Sequence, residues 1–279
     1  MPWRSEPQTA ADVAALQGNR AQAELRLAAR SDGPATRLAD LCEGGGYRIK
    51  FPQAERGLEA VIVNTGGGLL GGDTLSIDVR AEAGAEVMVT TQSAEKIYRA
   101  VAAPAHIDIA LQAEAGARLH WLPQEAILFS GARLTRRIEA DVAEGAELIV
   151  AEAAVFGRLA MGEVLREGLL ADRWRIRRGG TLVHADDLRL DGHIAGMLDR
   201  PAIGGGSRAS ASIVVLAPDA EARLDQTRAL AEDDAVSSGA SAWDGKLVVR
   251  LLAADPEPLR KVFSRLLANL SDRSLPRFW

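Results

Sequence analysis

The sequence predicts a mainly β protein made of β-helix-like stacked sheets, in solenoid-type layers, with two C-terminal α-helices. Three observations predict it: a recurring acidic glycine turn, alternating runs on either side of that turn, and few aromatic residues. Ala81-Glu82-Ala83-Gly84-Ala85 leads into Val87-Met88-Val89-Thr90, and Ala113-Glu114-Ala115-Gly116-Ala117 into Leu119-His120-Trp121-Leu122. Ala143-Glu144-Gly145-Ala146 leads into Leu148-Ile149-Val150, and a fainter copy, Arg178-Gly179-Gly180-Thr181, precedes Leu182-Val183. Gly84, Gly116, Gly145 and Gly179 lie 32, 29 and 34 residues apart. Before the turns stand runs such as Ile77-Asp78-Val79, Ile107-Asp108-Ile109 and Trp174-Arg175-Ile176, which alternate apolar and polar as half-buried strands do. A period of about 30 residues without helical spacing describes stacked β layers. An ordinary β-sandwich with similar hairpins is the competing arrangement. Aromatic residues make up 4% of the chain, which suits tightly stacked layers.

Ahead of the repeats, Asn64 to Asp73 places Gly66, Gly67, Gly68, Gly71 and Gly72 between the strand-like Ala60-Val61-Ile62-Val63 and Leu75 to Arg80. The spacing approaches a phosphate-binding G-x-x-x-x-G-K-[ST] loop, yet Gly72 stands where the lysine belongs and Asp73 follows it. A strand comes next, so no helix N-terminus offers amides to a phosphate, and the dinucleotide fingerprint fails for the same reason. What remains for the glycines is positive φ or close backbone approach at a tight crossing. Asp73, a short acid at the mouth of the turn, can accept amides or a cation.

The corners after each turn are polar. Gln92 and Gln124 each lie eight residues past their glycine, while Glu125 lies nine past Gly116 and Glu152 seven past Gly145. Stacking brings these groups into a column, which either satisfies corner backbone groups or lines a hydrated passage for something polar. Lys96, Tyr98 and Arg99, with Arg158 and Glu163, form either buried polar links between layers or a charged face for a partner. Arg133, Arg136 and Arg137 read as a solvated face. Toward the end, Asp219 to Asp233 has helical spacing, and strands Ser237 to Trp243 and Lys246 to Leu252 flank the hairpin dipeptide Asp244-Gly245. Pro256 opens a second helix with an apolar stripe of Leu259, Val262, Phe263, Leu266, Leu267 and Leu270. Core packing explains that stripe, and the two helices also offer a surface to a helical partner.

In the 279 residues, 47% are hydrophobic and 25% charged, which describes a soluble globular protein with ample core. The net charge of -5 argues against nucleic acid as a ligand. Residues 1–20 lack an apolar leader core and no run is long enough for a membrane span, so a cytoplasmic protein is expected. The single cysteine, Cys42, excludes a disulfide framework and reads as a small buried apolar group. The four histidines, His106, His120, His184 and His193, have no metal-binding spacing, so no tightly bound cofactor is expected. His120 reads as a core or edge residue, and His184, near Asp186 and Asp187, as the best candidate for a transient ligand.

Several ordered motifs resemble the urease accessory protein UreD family, called UreH in some organisms. They are Val63 to Asp73, Thr90 to Arg99, Leu122 to Ala132, Phe156-Gly157-Arg158, Met161-Gly162-Glu163 and the terminal Leu275 to Trp279. The likeness covers about residues 58–279 and departs from the family in the first 60 residues and at Asn64-Thr65. It implies a single domain: a tail over 1–20, a layered β body over 21–216, and a helix-hairpin-helix segment over 217–279. It implies a non-catalytic assembly factor that binds the urease apoprotein, recruits UreF and through it the GTPase UreG, and helps deliver nickel. It also implies an internal hydrated route for the ion, along which Asp73, Glu152 and Asp186 fall by motif, and it allows a dimeric accessory complex. Other classes fit the repeat: a β-solenoid enzyme acting on an acidic polysaccharide, or a structural scaffold with no metal role.

Overall fold

The alternating runs become strands of one sheet and the continuous apolar runs strands of another. A computed structural model describes residues 20–276 and 279; the expected tail thus lies almost wholly outside the described residues. In the first sheet, β1 (Gln22–Asp32), β5 (Thr74–Ala81), β8 (Ala105–Ala113), β11 (Arg133–Val142) and β13 (Gly168–Arg178) run parallel. In the second, β4 (Leu58–Asn64), β6 (Glu86–Thr91), β9 (Arg118–Trp121) and β12 (Glu147–Phe156) do the same. The chain passes from one sheet to the other at each acidic glycine turn, making a β-solenoid of about four turns. At the opposite corner, β7 (Glu95–Ile97) and β10 (Ala126–Leu128) stack in parallel with the end of β12.

Register explains the repeat. Ile77 stacks on Ile109, Ile109 on Ile138, and Ile138 on Trp174 in the first sheet, while Val87, Leu119 and Leu148 stack in the second. Both columns point into the inner core. The first sheet leaves its outer face to solvent, so its strands alternate in burial. The second sheet is buried on both sides, because Met88, Ile149 and Val155 pack outward against helices. That is why β12 reads as a nearly unbroken apolar run.

Antiparallel strands close the stack. β2 (Ala35–Glu43) and β14 (Thr181–Gly192) edge the first sheet, and β3 (Tyr47–Lys50) edges the second. At its far end the second sheet continues through β15 (Ala209–Leu216), β17 (Lys246–Ala253) and β16 (Val236–Trp243). The Gly179 copy of the turn differs from the others. Gly179 and Gly180 both adopt positive φ, of 52° and 81°, which folds β13 back on β14 within one sheet and ends the solenoid. Three helices are described: α1 (Ile194–Leu198), which sequence periodicity missed, α2 (Leu224–Ala231) and α3 (Pro256–Leu270). Asp255 caps α3 by accepting the Glu257 N–H. The predicted stripe of α3, from Leu259 to Leu270, is buried on the second sheet. Cys42, expected to be buried, is half-exposed on β2.

Two glycine substitutions separate backbone strain from steric fit. An added Cβ at Gly116 (φ 69°) meets nothing within 4 Å, whereas at Gly157 (φ 111°) it comes 2.3 Å from the Glu163 carbonyl oxygen. Gly116→Ala should lose about 1–2 kcal/mol from strain alone. Gly157→Ala should lose clearly more in the same urea titration, because the obstacle is backbone; equal losses would contradict this packing.

Candidate functional site

The strand register places a charged group inside the β-helix. On β11, Leu134, Ile138 and Ala140 are buried toward the second sheet, and Arg136 shares their phase. On β13, Asp172 shares the phase of Leu170, Trp174 and Ile176 and pairs with Arg136 across the ladder. On β12, Glu152 lies in phase with Leu148, Val150 and Ala154. The three side chains therefore meet between the sheets, each at least nine-tenths buried. The Arg136 Nε donates to Asp172 Oδ1 at 3.1 Å, its Nη2 donates to Asp172 Oδ2, and its Nη1 donates to Glu152 Oε2. Two indoles complete the shell: Trp121 Nε1 donates to Glu152 Oε1 at 2.8 Å and Trp174 Nε1 to Asp172 Oδ1 at 3.0 Å.

One guanidinium thus serves two carboxylates. Burial pushes the Glu152 carboxyl up to about 7, with Arg136 opposing that rise and Asp172 adding to it. Arg136 stays charged because Asp172 and Glu152 offset its own burial. Beside the cluster is a cavity of about 40 Å³, bordered also by Asp186, Ser210, Ser212 and Arg250. Space of that size and polarity holds about two or three waters. Arg250 Nη2 donates to Asp186 Oδ2 at 2.7 Å at its outer end.

The other predicted site residues fall in separate places. Asp73 is buried and committed to backbone: Oδ1 accepts the Ala21 N–H at 2.9 Å and Oδ2 the Leu70 N–H at 2.7 Å. It locks the glycine loop to the start of β1. In that loop the glycines serve close approach, since a Cβ on Gly68 would lie 2.5 Å from the Tyr98 ring and one on Gly71 the same distance from the Ala100 Cβ. Gln124 lies beside Gln92, its Nε2 donating to the Gln92 backbone carbonyl at 3.1 Å, while Gln92 itself is exposed. Arg260 of α3 reaches Gln124 Oε1 at 3.0 Å and Glu125 Oε1 at 3.5 Å. The polar column expected from spacing is therefore divided: Gln124 and Glu125 tie a corner to α3, while Glu152 points into the interior.

Arg158 pairs with Glu163 and lies 4.5 Å over the Phe129 ring, which meets Tyr98 edge-on at 5.0 Å. Lys96 is exposed and the Arg158 side chain is nearly half exposed, so this group is a surface cluster rather than a buried link. His184 is buried, and burial followed by the charge of Lys246 lowers its pKa; its Nε2 has no hydrogen-bond partner among the described residues. His120 is buried in the second sheet and meets Glu147 at 3.1 Å.

Two features escaped the sequence reading. Arg136, which charge density places on a solvated face with Arg133 and Arg137, is instead buried; its phase with Leu134 and Ile138 is the signal that corrects it. Tyr47, Asn64 and Glu95 also form an unforeseen network, with Asn64 Nδ2 donating to Glu95 Oε1 and to the Tyr47 oxygen at 2.8 Å each. Burial raises the Glu95 pKa. Among the described residues no three of His, Cys, Asp or Glu come together as a metal site.

Fold and site together define a β-helical protein whose most unusual feature is a buried cluster of charges beside a small polar cavity that opens toward Asp186 and Arg250. The model of the UreD urease accessory protein family matches residues 20–279. Urease accessory protein UreD 2 of Methylorubrum populi is 53% identical over 91% of this chain and 86% of its own length. Urease accessory protein UreD of Xanthobacter autotrophicus is 48% identical over 99% of this chain and 97% of its own, and UreD 3 of Methylorubrum extorquens 49% over 95% and 92%. The chain belongs to the UreD family of urease accessory proteins.

Removing Arg136 leaves two acids in the core, so Arg136→Met should cost about 3–5 kcal/mol in urea unfolding at neutral pH. The pH dependence has a definite sign. Glu152 has a folded pKa of about 7 against an ordinary 4.5, so the folded state holds a proton that the unfolded state has released. Its contribution to stability is present at low pH and is lost as pH rises from about 4.5 through about 7. Glu152→Gln should flatten that part of the stability profile; an unchanged slope would contradict the assignment.

Proposed function

We propose that this chain is a non-catalytic scaffold for urease maturation, assembling with the urease apoprotein, UreF and, through UreF, the GTPase UreG. Membership of the UreD family is the observation that carries this reading. We further propose that nickel, the cargo, passes the Arg136–Glu152–Asp172 pocket in transit and is not stored there. Oxygen ligands and waters suit a route that releases its ion, whereas a storage site gathers several nitrogen or sulfur ligands. The polar cavity beside Glu152 supports a hydrated path at this point. An arriving cation competes with Arg136 for the carboxylates, so the guanidinium keeps occupancy brief. Asp73 fits this role less well, since both its oxygens hold backbone amides. Asp186 borders the same cavity, and His184 lies beyond it on β14.

Reconstitution tests the proposal. Urease apoprotein, UreF, UreG, GTP, bicarbonate and nickel should yield active urease with this chain and much less without it; equal activity would remove the scaffold role. In the same assay Glu152→Ala should lower activation while the accessory complex still forms by gel filtration. Full activation by that variant would exclude the route past Glu152 and leave the scaffold role standing.

A further inference from the structure

The two sheets end unevenly. The first stops at β14, while the second runs on through β17 to β16. Lys246 of β17 donates to the Val183 carbonyl of β14, and Arg250 of β17 pairs with Asp186 of β14, so β14 lies over β17. Among the described residues, no strand of the first sheet extends past β14 to cover β16. Trp243, Ser241 and Gly239 of β16 pair with Lys246, Val248 and Arg250 of β17 and share their face. With Val183, His184 and Ala185 they line an open groove of about 570 Å³. The first sheet is one strand short of covering the second.

We propose that this slot receives an extended acidic segment of a partner protein, added as a strand on the free edge of β14. Three observations select that occupant. The edge is open, because among the described residues β14 pairs with β13 alone. The floor beneath it is small and aromatic: Gly239 and Ser241 leave room for side chains, and Trp243 is 46% exposed. Its charged groups are mainly cationic. Lys246 is buried at the slot wall, with its Nζ on the Val183 carbonyl and 4.2 Å over the Trp243 ring, whereas Arg250, its side chain 57% exposed, spends only Nη2 on Asp186 at 2.7 Å and offers its remaining donors to carboxylates on the incoming strand.

A second copy of this chain does not fit the slot. Antiparallel pairing of β14 with its own copy places both second sheets on the same side of the joined first sheets. The two overhanging β16 strands then claim the same space.

Gly239→Trp is the decisive variant, since an added Cβ at Gly239 meets nothing within 4 Å and the indole fills the groove without disturbing the core. The probes are strand-length synthetic peptides alternating glutamate with valine or threonine, copies with lysine for glutamate, and copies N-methylated at alternate amides. Fluorescence anisotropy on the full chain should show saturable binding of the acidic peptide, weakened at least about ten-fold by lysine, by N-methylation and by Gly239→Trp. Hydrogen exchange should slow in β14 on binding, and the thermal midpoint of Gly239→Trp should match the parent. Equal binding of acidic and basic peptides, undiminished binding by Gly239→Trp, no binding by any peptide, or protection outside β14 would each overturn the proposal. So would a dimer of the chain that Gly239→Trp dissolves.

Discussion

The buried guanidinium of Arg136 is the constraint on which the interior depends. It stands on the first sheet, holds Asp172 of the neighbouring strand with two donors, and reaches across the core to Glu152 of the second sheet. Such a cluster is a costly way to hold sheets together. Desolvating three charges offsets most of their attraction, and apolar side chains of similar volume commonly do as well or better. Stability alone therefore does not account for such a cluster in a core of aliphatic and aromatic side chains.

The surrounding architecture makes the cluster possible. Parallel rungs repeat the same inward positions at each level, so one change of residue type on three adjacent strands brings three charges together without bending the backbone. The layer of α2 and α3 covers the outer face of the second sheet, so β12 is buried on both sides, with Ile149, Ala151 and Ala153 toward the helices and Glu152 toward the first sheet. Tryptophans at adjacent rungs supply N–H donors where aliphatic residues would leave carboxylate oxygens unsatisfied. The cluster also sits near the last turn of the stack, where the solenoid gives way to the antiparallel β13–β14 hairpin. The small polar cavity lies there, and farther out the overhang of β16 past β14 leaves the groove.

Much of this was legible in the sequence. The acidic glycine turns announced the rungs, Asp244-Gly245 announced the last hairpin, and the leucine stripe after Pro256 announced α3. Locally repeated signals of this kind need no knowledge of distant partners. What the sequence hid depended on which strands lie opposite each other. Arg136 stands among Arg133 and Arg137, and charge density outweighed its phase with Leu134 and Ile138. Asp73 reads from sequence as an acceptor of amides or of a cation, and only the fold decides for the amides of Ala21 and Leu70, one of them 52 residues away. The split of the corner column followed from the same limit, because spacing from a glycine does not say whether a side chain turns inward or toward α3.

The proposed nickel route requires that the core charges serve activation and not folding. Replacing all three at once, Arg136→Met, Glu152→Met and Asp172→Leu, tests it directly, with unfolding free energy and urease activation measured on the same preparation. The account predicts a triple variant at least as stable as the parent that no longer supports activation. A variant that loses stability severely, or one that activates urease as well as the parent, would contradict it.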